Sequence, residues 1–247
     1  MIEESNNTSD TIFRYRSPCK CLKFFPAITT IGYKGETDMK KILNKTIYES
    51  LKEIVSPEHT ALVVWDVQNA LVNNIFNKQE FIAHLSSLLG KAREKGIAII
   101  YSRITPLPPQ YNSSWAIYAS MRRFGVDDPS KIPPFMKPGT TDADIPAAVA
   151  PAENDLVVNK HTASFFVGTH VEYLLRNRGI ETAIFTGIAT EFGVESSVRD
   201  ASNRGFYPVV ASDVVSSMDK GMHELALKIM ARIAITASSA DIMKAWE

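Results

Sequence analysis

The chain has 247 residues, 45% of them hydrophobic and 22% charged, so it is long enough to bury a sizeable core. Its 27 basic and 27 acidic side chains give a formal net charge of zero, which provides no overall attraction to nucleic acid or to an anionic membrane. No apolar run approaches the roughly 20 residues that cross a bilayer, and the N-terminus lacks the apolar segment of a signal peptide. We therefore expect a cytoplasmic protein that acts on a small molecule, with no nucleic-acid or membrane partner.

The first 40 residues have mixed polarity and no sustained periodicity, which predicts an N-terminal extension ahead of one domain at 41–247. The extension holds both cysteines, Cys19 and Cys21. Two such thiols supply at most half of a zinc site, so reduced thiols are the favoured interpretation. The five histidines show no paired spacing, and the glycine-rich loops that bind nucleotide phosphates are missing. We therefore expect neither a metal nor a cofactor.

The first half of the domain alternates between strand and helix patterns. The continuous apolar run TALVVWD (60–66) predicts a strand that is buried on both faces. A helical apolar face follows within 78–96, and GIAIIYS predicts the second strand. A proline-rich insertion at about 104–151 comes next, with one short helix in SSWAIYASMRRFG. An ordered insertion of this length is typical of a lid or a pocket wall.

The alternation continues to the C-terminus. DLVVNK (155–160) predicts a third core strand, and Thr169 with Glu172 has the spacing of a capping box ahead of the next helix. Further elements follow in order: strand 181–187, a helix from about 191 to 204, strand 206–213, a helix, a short strand and a terminal helix. Such alternation with short loops predicts an α/β fold with a mainly parallel sheet covered on both faces.

Charged side chains stand at the ends of two apolar strands. Asp66 follows ALVVW, and Lys160 ends the run that begins at Asp155. Because ligands of such folds bind beyond the carboxyl ends of the strands, these positions are candidates for a catalytic pair. A purely structural salt bridge is the alternative. Arg103, at the end of the second strand, is a candidate clamp for an anionic substrate or else a surface arginine.

The stretch GIATEFGVESS (187–197) lies between a strand and a helix, where many α/β enzymes hold a nucleophile, but it contains no thiol. The chain also has no G-x-S-x-G motif, which argues against a serine hydrolase of the α/β-hydrolase fold. Three segments together, 61–72, 155–180 and 182–217, resemble the isochorismatase-like hydrolases, also called the cysteine hydrolase superfamily. The resemblance extends from about residue 58 to the C-terminus.

The resemblance implies a Rossmann-like three-layer α/β/α fold with a six-stranded, mainly parallel sheet, and a homo-oligomer (dimer or tetramer). It also implies an Asp–Lys–Cys triad, in which the aspartate matches Asp66 and the lysine matches Lys160. At the cysteine position of the family pattern G-x-A-T-x-x-C-V-E this chain has Gly193. The peptide bond before Ala189 is often cis in the family and helps bind an oxyanion.

The resemblance implies that this chain belongs with the members of the family that do not use a metal. Nicotinamidases hold a metal through a D-x-H arrangement after the second strand, whereas this chain reads YSRITPLPP there. Isochorismatases resemble this chain in having glycine at the cysteine position. Their mechanism implies an aspartic acid that protonates a vinyl ether, after which water attacks the carbocation and no covalent enzyme intermediate forms.

The glycine itself suggests an anion site. If Thr190 caps the following helix, the backbone N–H groups near Gly193 are unpaired, and the missing side chain leaves room for a carboxylate or an oxyanion. The alternative is that Gly193 marks lost catalysis in a degenerate copy of the site.

The leading hypothesis is a metal-independent, isochorismatase-type hydrolase with Asp66 as general acid/base and Lys160 as its electrostatic partner. An acid role requires that desolvation raise the pKa of Asp66 more than Lys160 lowers it. Two alternatives stay open: a non-catalytic ligand-binding protein, and an amide hydrolase that uses an Asp-activated water. Further candidate substrate contacts are the backbone from Ile188 through Ala189 and Thr190 to Gly193, and the side chains of Gln68 and Arg103.

Overall fold

The computed structural model describes residues 40–247, so the predicted extension and its two cysteines lie outside the described residues. The described chain begins with a small antiparallel hairpin of β1 (Lys40–Ile42) and β2 (Lys45–Ile47). Helix α1 (Leu51–Ile54) follows and starts at Ser50 with a complete capping box. These elements lead into the main sheet.

Six parallel strands form the main sheet, in the order β5-β4-β3-β6-β7-β8. The two central strands, β3 and β6, are buried at every residue, as their continuous apolar runs predict. In chain order the strands are β3 (Thr60–Trp65), β4 (Ala98–Ile104), β5 (Leu156–Lys160), β6 (Thr182–Ile188), β7 (Tyr207–Ser216) and β8 (Ile235–Ala237). The predicted α/β fold with a six-stranded parallel sheet is confirmed. The strand predicted at 155–160 is confirmed as β5, which lies at an edge of the sheet with Leu156 39% exposed.

One face of the sheet packs against α3 (Lys78–Glu94) and α8 (Ser239–Ala245). The buried side chains of α3 recur at helical spacing and are those expected from the sequence: Phe81, Leu85, Leu88, Leu89 and Ala92. Full burial of a large apolar side chain stabilises a fold by about 1.5 to 3 kcal/mol. This helix is therefore held mainly by its apolar face.

The opposite face packs against α5 (Val171–Asn177), α6 (Glu195–Asn203) and α7 (Lys220–Met230). The predicted capping box before α5 is wrong, because the N-cap is His170 and the Thr169 hydroxyl donates to the Phe165 carbonyl at 2.6 Å. None of the helices in residues 40–247 is long and apolar enough to cross a membrane.

The insertion between β4 and β5 is mostly irregular, as its prolines predict. It contains α4 (Ser114–Phe124) and four 3₁₀ turns, at Pro109–Tyr111, Pro129–Lys131, Thr141–Ala143 and Ala147–Val149. Its last part is tied to the sheet, because the Tyr101 hydroxyl donates to the Val149 carbonyl at 3.0 Å. An earlier part of the insertion, with Phe135 and Met136, lines a cavity at the carboxyl ends of the strands, where a ligand site of this fold forms.

A close backbone approach joins the two central strands at Gly187. This residue pairs with Trp65 and has a φ of +122°. A Cβ atom placed on Gly187 would lie 2.0 Å from the Trp65 carbonyl oxygen. Both the dihedral angle and the missing space therefore require glycine at this position.

We expect Gly187→Ala to lower the free energy of unfolding by about 3 kcal/mol or more, since it adds a backbone clash to a strained φ. Urea unfolding followed by circular dichroism measures this loss. Gly90→Ala is the matched control, because Gly90 lies in helix α3 with no heavy atom within 4 Å of its added Cβ. There we expect a gain of up to about 1 kcal/mol. Equal effects at the two glycines would contradict the steric argument.

Candidate active site

The sequence-predicted pair Asp66 and Lys160 lies together at the carboxyl ends of the strands. Lys160 ends β5, and its Nζ lies 2.6 Å from Oδ2 of Asp66, which directly follows β3. The side chains are only 0% and 1% exposed. Asp66 has a φ of +46°, an uncommon conformation for a residue other than glycine and one that tends to occur at functional sites.

The strand between them holds the pair in place. Ser102 of β4 donates its hydroxyl to Oδ1 of Asp66 at 2.6 Å. Lys160 Nζ also donates to the Thr162 carbonyl at 3.0 Å and lies 3.8 Å from the centroid of the Trp65 ring. Both carboxylate oxygens and the ammonium group therefore have fixed partners.

Burial sets the protonation of this pair. Desolvation raises the pKa of Asp66 and outweighs the opposing attraction of Lys160 and the hydrogen bond from Ser102. Desolvation also lowers the pKa of Lys160, against the attraction of Asp66. Burial thus shifts the pKa of Asp66 in the direction that an aspartic acid donor requires.

A cavity of about 400 Å³ opens beside the pair, between the strand ends and the insertion. Much of its wall is apolar, including Leu71, Ile104, Phe135, Met136, Phe192 and Met218. Its charged or titratable side chains, besides the pair, are Arg123, His161, Glu191 and Asp219. A mostly apolar pocket with a few polar groups is typical of a small-molecule site. Among residues 40–247, no group of three or more His, Cys, Asp or Glu side chains is placed to hold a metal ion.

The space next to Gly193 differs from the expectation. A Cβ atom at Gly193 would lie 1.6 Å from Cζ2 of Trp65, so the indole fills the volume that a side chain at this position would need. The expectation that the missing side chain leaves room for a substrate anion is therefore corrected. Gly193 itself is buried and does not line the cavity.

The segment after β6 also differs from the expected helix cap. The N-cap is Ala189, and Thr190 is the first residue of a π-helical turn, Thr190–Val194, that runs into α6. The Thr190 hydroxyl instead lies 2.8 Å from Nδ1 of the buried His223, so the expected capping role is wrong. Ile188 and Ala189 line the cavity, and the peptide bond between them is cis, as the resemblance implies.

Gln68 and Arg103 do not line the cavity. The buried Gln68 amide donates to the Ile104 and Ala143 carbonyls and accepts from the Ile104 N–H at 2.8 Å, so it ties β4 to the insertion. The Arg103 guanidinium donates to the Asn159 side chain on the neighbouring strand. The arginine at the cavity is Arg123 of α4, which the sequence did not single out.

Glu191 adds an acceptor to the cavity wall that the sequence analysis did not single out. Its Oε1 accepts a hydrogen bond from the Ser217 hydroxyl at 2.6 Å. Its Oε2 is buried and has no hydrogen-bond partner among the described residues. Buried polar atoms are nearly always paired, and Glu191 lines the cavity, so this unpaired oxygen is a candidate acceptor for a ligand.

An isochorismatase domain model matches residues 60–241. The chain is 32% identical over 191 residues to the isochorismatase family protein YecD of Escherichia coli O157:H7, covering 75% of this chain and 95% of that protein. The protein therefore belongs to the isochorismatase-like family of hydrolases, the cysteine hydrolase superfamily.

Two further comparisons extend this result. The chain is 29% identical over 208 residues to the ureidoacrylate amidohydrolase RutB of Rhizobium rhizogenes, covering 76% of this chain and 82% of that enzyme. The solved structure of a cysteine hydrolase from Pseudomonas syringae pv. phaseolicola shares the fold, with a TM-score of 0.67 at 20% identity over 78% of this chain and 94% of that chain.

We expect Lys160→Met to lower the free energy of unfolding by about 3 kcal/mol near neutral pH, because it leaves the Asp66 carboxylate buried without a cation. Without the lysine, the pKa of Asp66 in the folded state rises further above its unfolded value. The stability that this shift contributes is fully present below the unfolded pKa and is lost as pH rises through the folded pKa. The deficit should therefore be smaller at about pH 5 than at about pH 8.

Urea unfolding of both proteins at the two pH values measures this difference. Lys131→Met is the control, since Lys131 forms an exposed ion pair with Asp127 and its loss should cause no measurable change. A deficit for Lys160→Met that is the same at both pH values would argue against a buried, protonatable Asp66.

Proposed function

We propose that this protein is a metal-independent hydrolase of the isochorismatase type, acting on a small anionic substrate by acid–base catalysis from Asp66. The observation that carries the proposal is the buried Asp66–Lys160 pair at the cavity wall, combined with a position 193 that has no nucleophile. A raised pKa keeps a carboxylic acid protonated closer to neutral pH, which is what a general acid requires.

In the proposed reaction the Asp66 proton goes to the terminal carbon of a vinyl ether. The ether oxygen stabilises the resulting cation, and water adds to the cationic carbon. The adduct returns a proton to the Asp66 carboxylate and collapses to a carbonyl compound and an alcohol. Lys160 balances the charge of the carboxylate while the proton is away, so no covalent bond to the protein forms.

An anionic substrate is supported by Arg123. This arginine lines the cavity, its guanidinium lies 5.5 Å from the centroid of the Phe135 ring, and it forms no salt bridge with a described residue. Arginine binds carboxylates in a bidentate geometry. In the proposed complex Arg123 holds the substrate carboxylate, and the backbone at Ile188 and Ala189 forms the opposite wall.

Amide hydrolysis by an Asp66-activated water is a second candidate function. The unpaired Glu191 Oε2 favours it, because amide and ureido substrates carry N–H groups that such an oxygen accepts. The similarity to a ureidoacrylate amidohydrolase supports the same candidate.

We expect Asp66→Asn to lower kcat/KM by at least about a hundredfold on an authentic substrate, since the amide cannot donate the required proton. The assay uses a panel of isochorismate-like vinyl ethers and small amides, without added metal, across a range of pH. On a vinyl ether, kcat/KM of the wild type should fall as pH rises through the raised pKa of Asp66.

The panel separates the alternatives. Turnover of vinyl ethers supports the first function, and turnover of amides alone supports the second. Tight binding of a carboxylate ligand with no turnover of either set would favour a non-catalytic ligand-binding protein. Full turnover by Asp66→Asn would refute the role of Asp66. The exposed Asp127→Asn, which lies outside the cavity lining, controls for the loss of one carboxylate.

If the second function holds, Glu191→Gln should lower kcat/KM for amides by roughly tenfold or more, since it replaces an acceptor by a donor at the free oxygen. Glutamine can still accept the hydrogen bond from Ser217, so the local structure should persist. The comparison of amide and vinyl-ether kinetics in this variant is the measurement. An equal loss on both substrate classes would count against recognition of an N–H group.

A further inference from the structure

Gly193 has a steric reason to be glycine, and the nearest obstruction is the Trp65 side chain. An ideal Cβ atom on Gly193 would lie 1.6, 1.9 and 2.4 Å from Cζ2, Cη2 and Cε2 of the Trp65 ring. Real Cβ atoms essentially never approach other heavy atoms more closely than 3.0 Å, so a side chain here requires the indole to shift. The backbone of Gly193 does not lie in the left-handed region, so its dihedral angles admit any residue. The three heavy atoms nearest to this Cβ therefore all belong to the Trp65 indole.

Trp65 has little freedom to move aside. It ends β3, where it pairs with Ser102 on one side and Gly187 on the other, and it is only 6% exposed. Lys160 Nζ lies 3.8 Å from the ring centroid, a distance at which an ammonium group attracts an aromatic face. The indole Nε1 is buried and has no hydrogen-bond partner among residues 40–247, so packing and the lysine hold the ring.

We propose that Trp65 is the residue that determines the chemistry of this site: its indole takes the volume of a nucleophilic side chain at position 193 and packs against Lys160. The steric part of this proposal stands on geometry alone, whereas its chemical consequence rests on the proposed function. With Trp65 in place, a thiol cannot be accommodated between α6 and β3. The cavity is then left with acid–base groups instead of a side-chain nucleophile at this position.

A double-mutant cycle tests the steric pair without any substrate. The four proteins are the wild type, Gly193→Ala, Trp65→Val and the double variant, each as the full chain. We expect Gly193→Ala to lower Tm by about 5 °C or more in the wild type and to change it by less than about 2 °C in Trp65→Val. Gly90→Ala in both backgrounds controls for the general effect of a glycine replacement, and its shift should not depend on Trp65.

Equal losses from Gly193→Ala in the two backgrounds, or no loss in either, would overturn the proposal. Trp65→Leu replaces Trp65→Val if the smaller side chain prevents folding, since leucine leaves a smaller cavity while still freeing the space beside Gly193.

The chemical consequence has its own readout, alkylation of a thiol by iodoacetamide. In Trp65→Val/Gly193→Cys the introduced thiol should be alkylated in the folded protein. In Gly193→Cys alone it should either stay unmodified or destabilise the fold. Mass spectrometry of the peptide around position 193 separates this thiol from Cys19 and Cys21. A folded, stable Gly193→Cys protein that alkylates as fast as the double variant would contradict the proposal.

These outcomes are independent of the proposed function. If the effect of Gly193→Ala on Tm depends on Trp65 but Asp66→Asn keeps full turnover, the steric contact is supported and the acid–base role of Asp66 is refuted. If the effect of Gly193→Ala on Tm does not depend on Trp65 but Asp66→Asn loses turnover, the acid–base role is supported and the steric contact is refuted.

Discussion

The buried contact between Asp66 and Lys160 is the constraint on which the site depends. Removing two charges from water costs several kcal/mol for each ion, and apolar side chains of similar volume are often as stable or more so. Packing alone therefore does not explain the pair. Its geometry requires three adjacent parallel strands, because β4 lies between the other two and supplies Ser102 to the second carboxylate oxygen. The order of the sheet is thus a condition for the chemistry.

Trp65 contacts both the neighbouring strand and the turn that follows it. Its carbonyl oxygen occupies the space beside Gly187, its ring occupies the space beside Gly193, and the next residue along the chain is Asp66. Trp65 therefore lies against both glycines and directly precedes the aspartate of the buried pair. A change at Trp65 acts on all three, which is why only a paired substitution separates its steric role from its other effects.

Much of the fold and part of the site could be predicted from the sequence. The features that could not be predicted depend on contacts between distant parts of the chain. Continuous apolar runs predicted β3 and β6, and charged residues after apolar strands predicted that Asp66 and Lys160 meet. Periodicity carries no information on strand order, so the edge position of β5 was missed. The sequence did not predict that the Trp65 indole lies beside Gly193, because the two residues are far apart in the chain. It did not predict that Arg123 lines the cavity, because the path of a proline-rich insertion does not follow from its sequence pattern. Thr190 had the chemistry of a cap, but tertiary contact with His223 prevailed.

The acidic side chains that line the cavity differ in how well they suit the role of general acid in the proposed function. The acidic side chains that line the cavity are Asp66, Glu191 and Asp219. Asp66 has the most complete burial and the only cationic partner that is itself buried. In the proposed reaction Lys160 balances the charge of Asp66 once its proton has left. Neither Glu191, which is bonded to Ser217, nor the N-cap residue Asp219 combines these two properties. The proposed function therefore assigns proton transfer to Asp66 and leaves Glu191, the second carboxylate at the cavity wall, for substrate recognition.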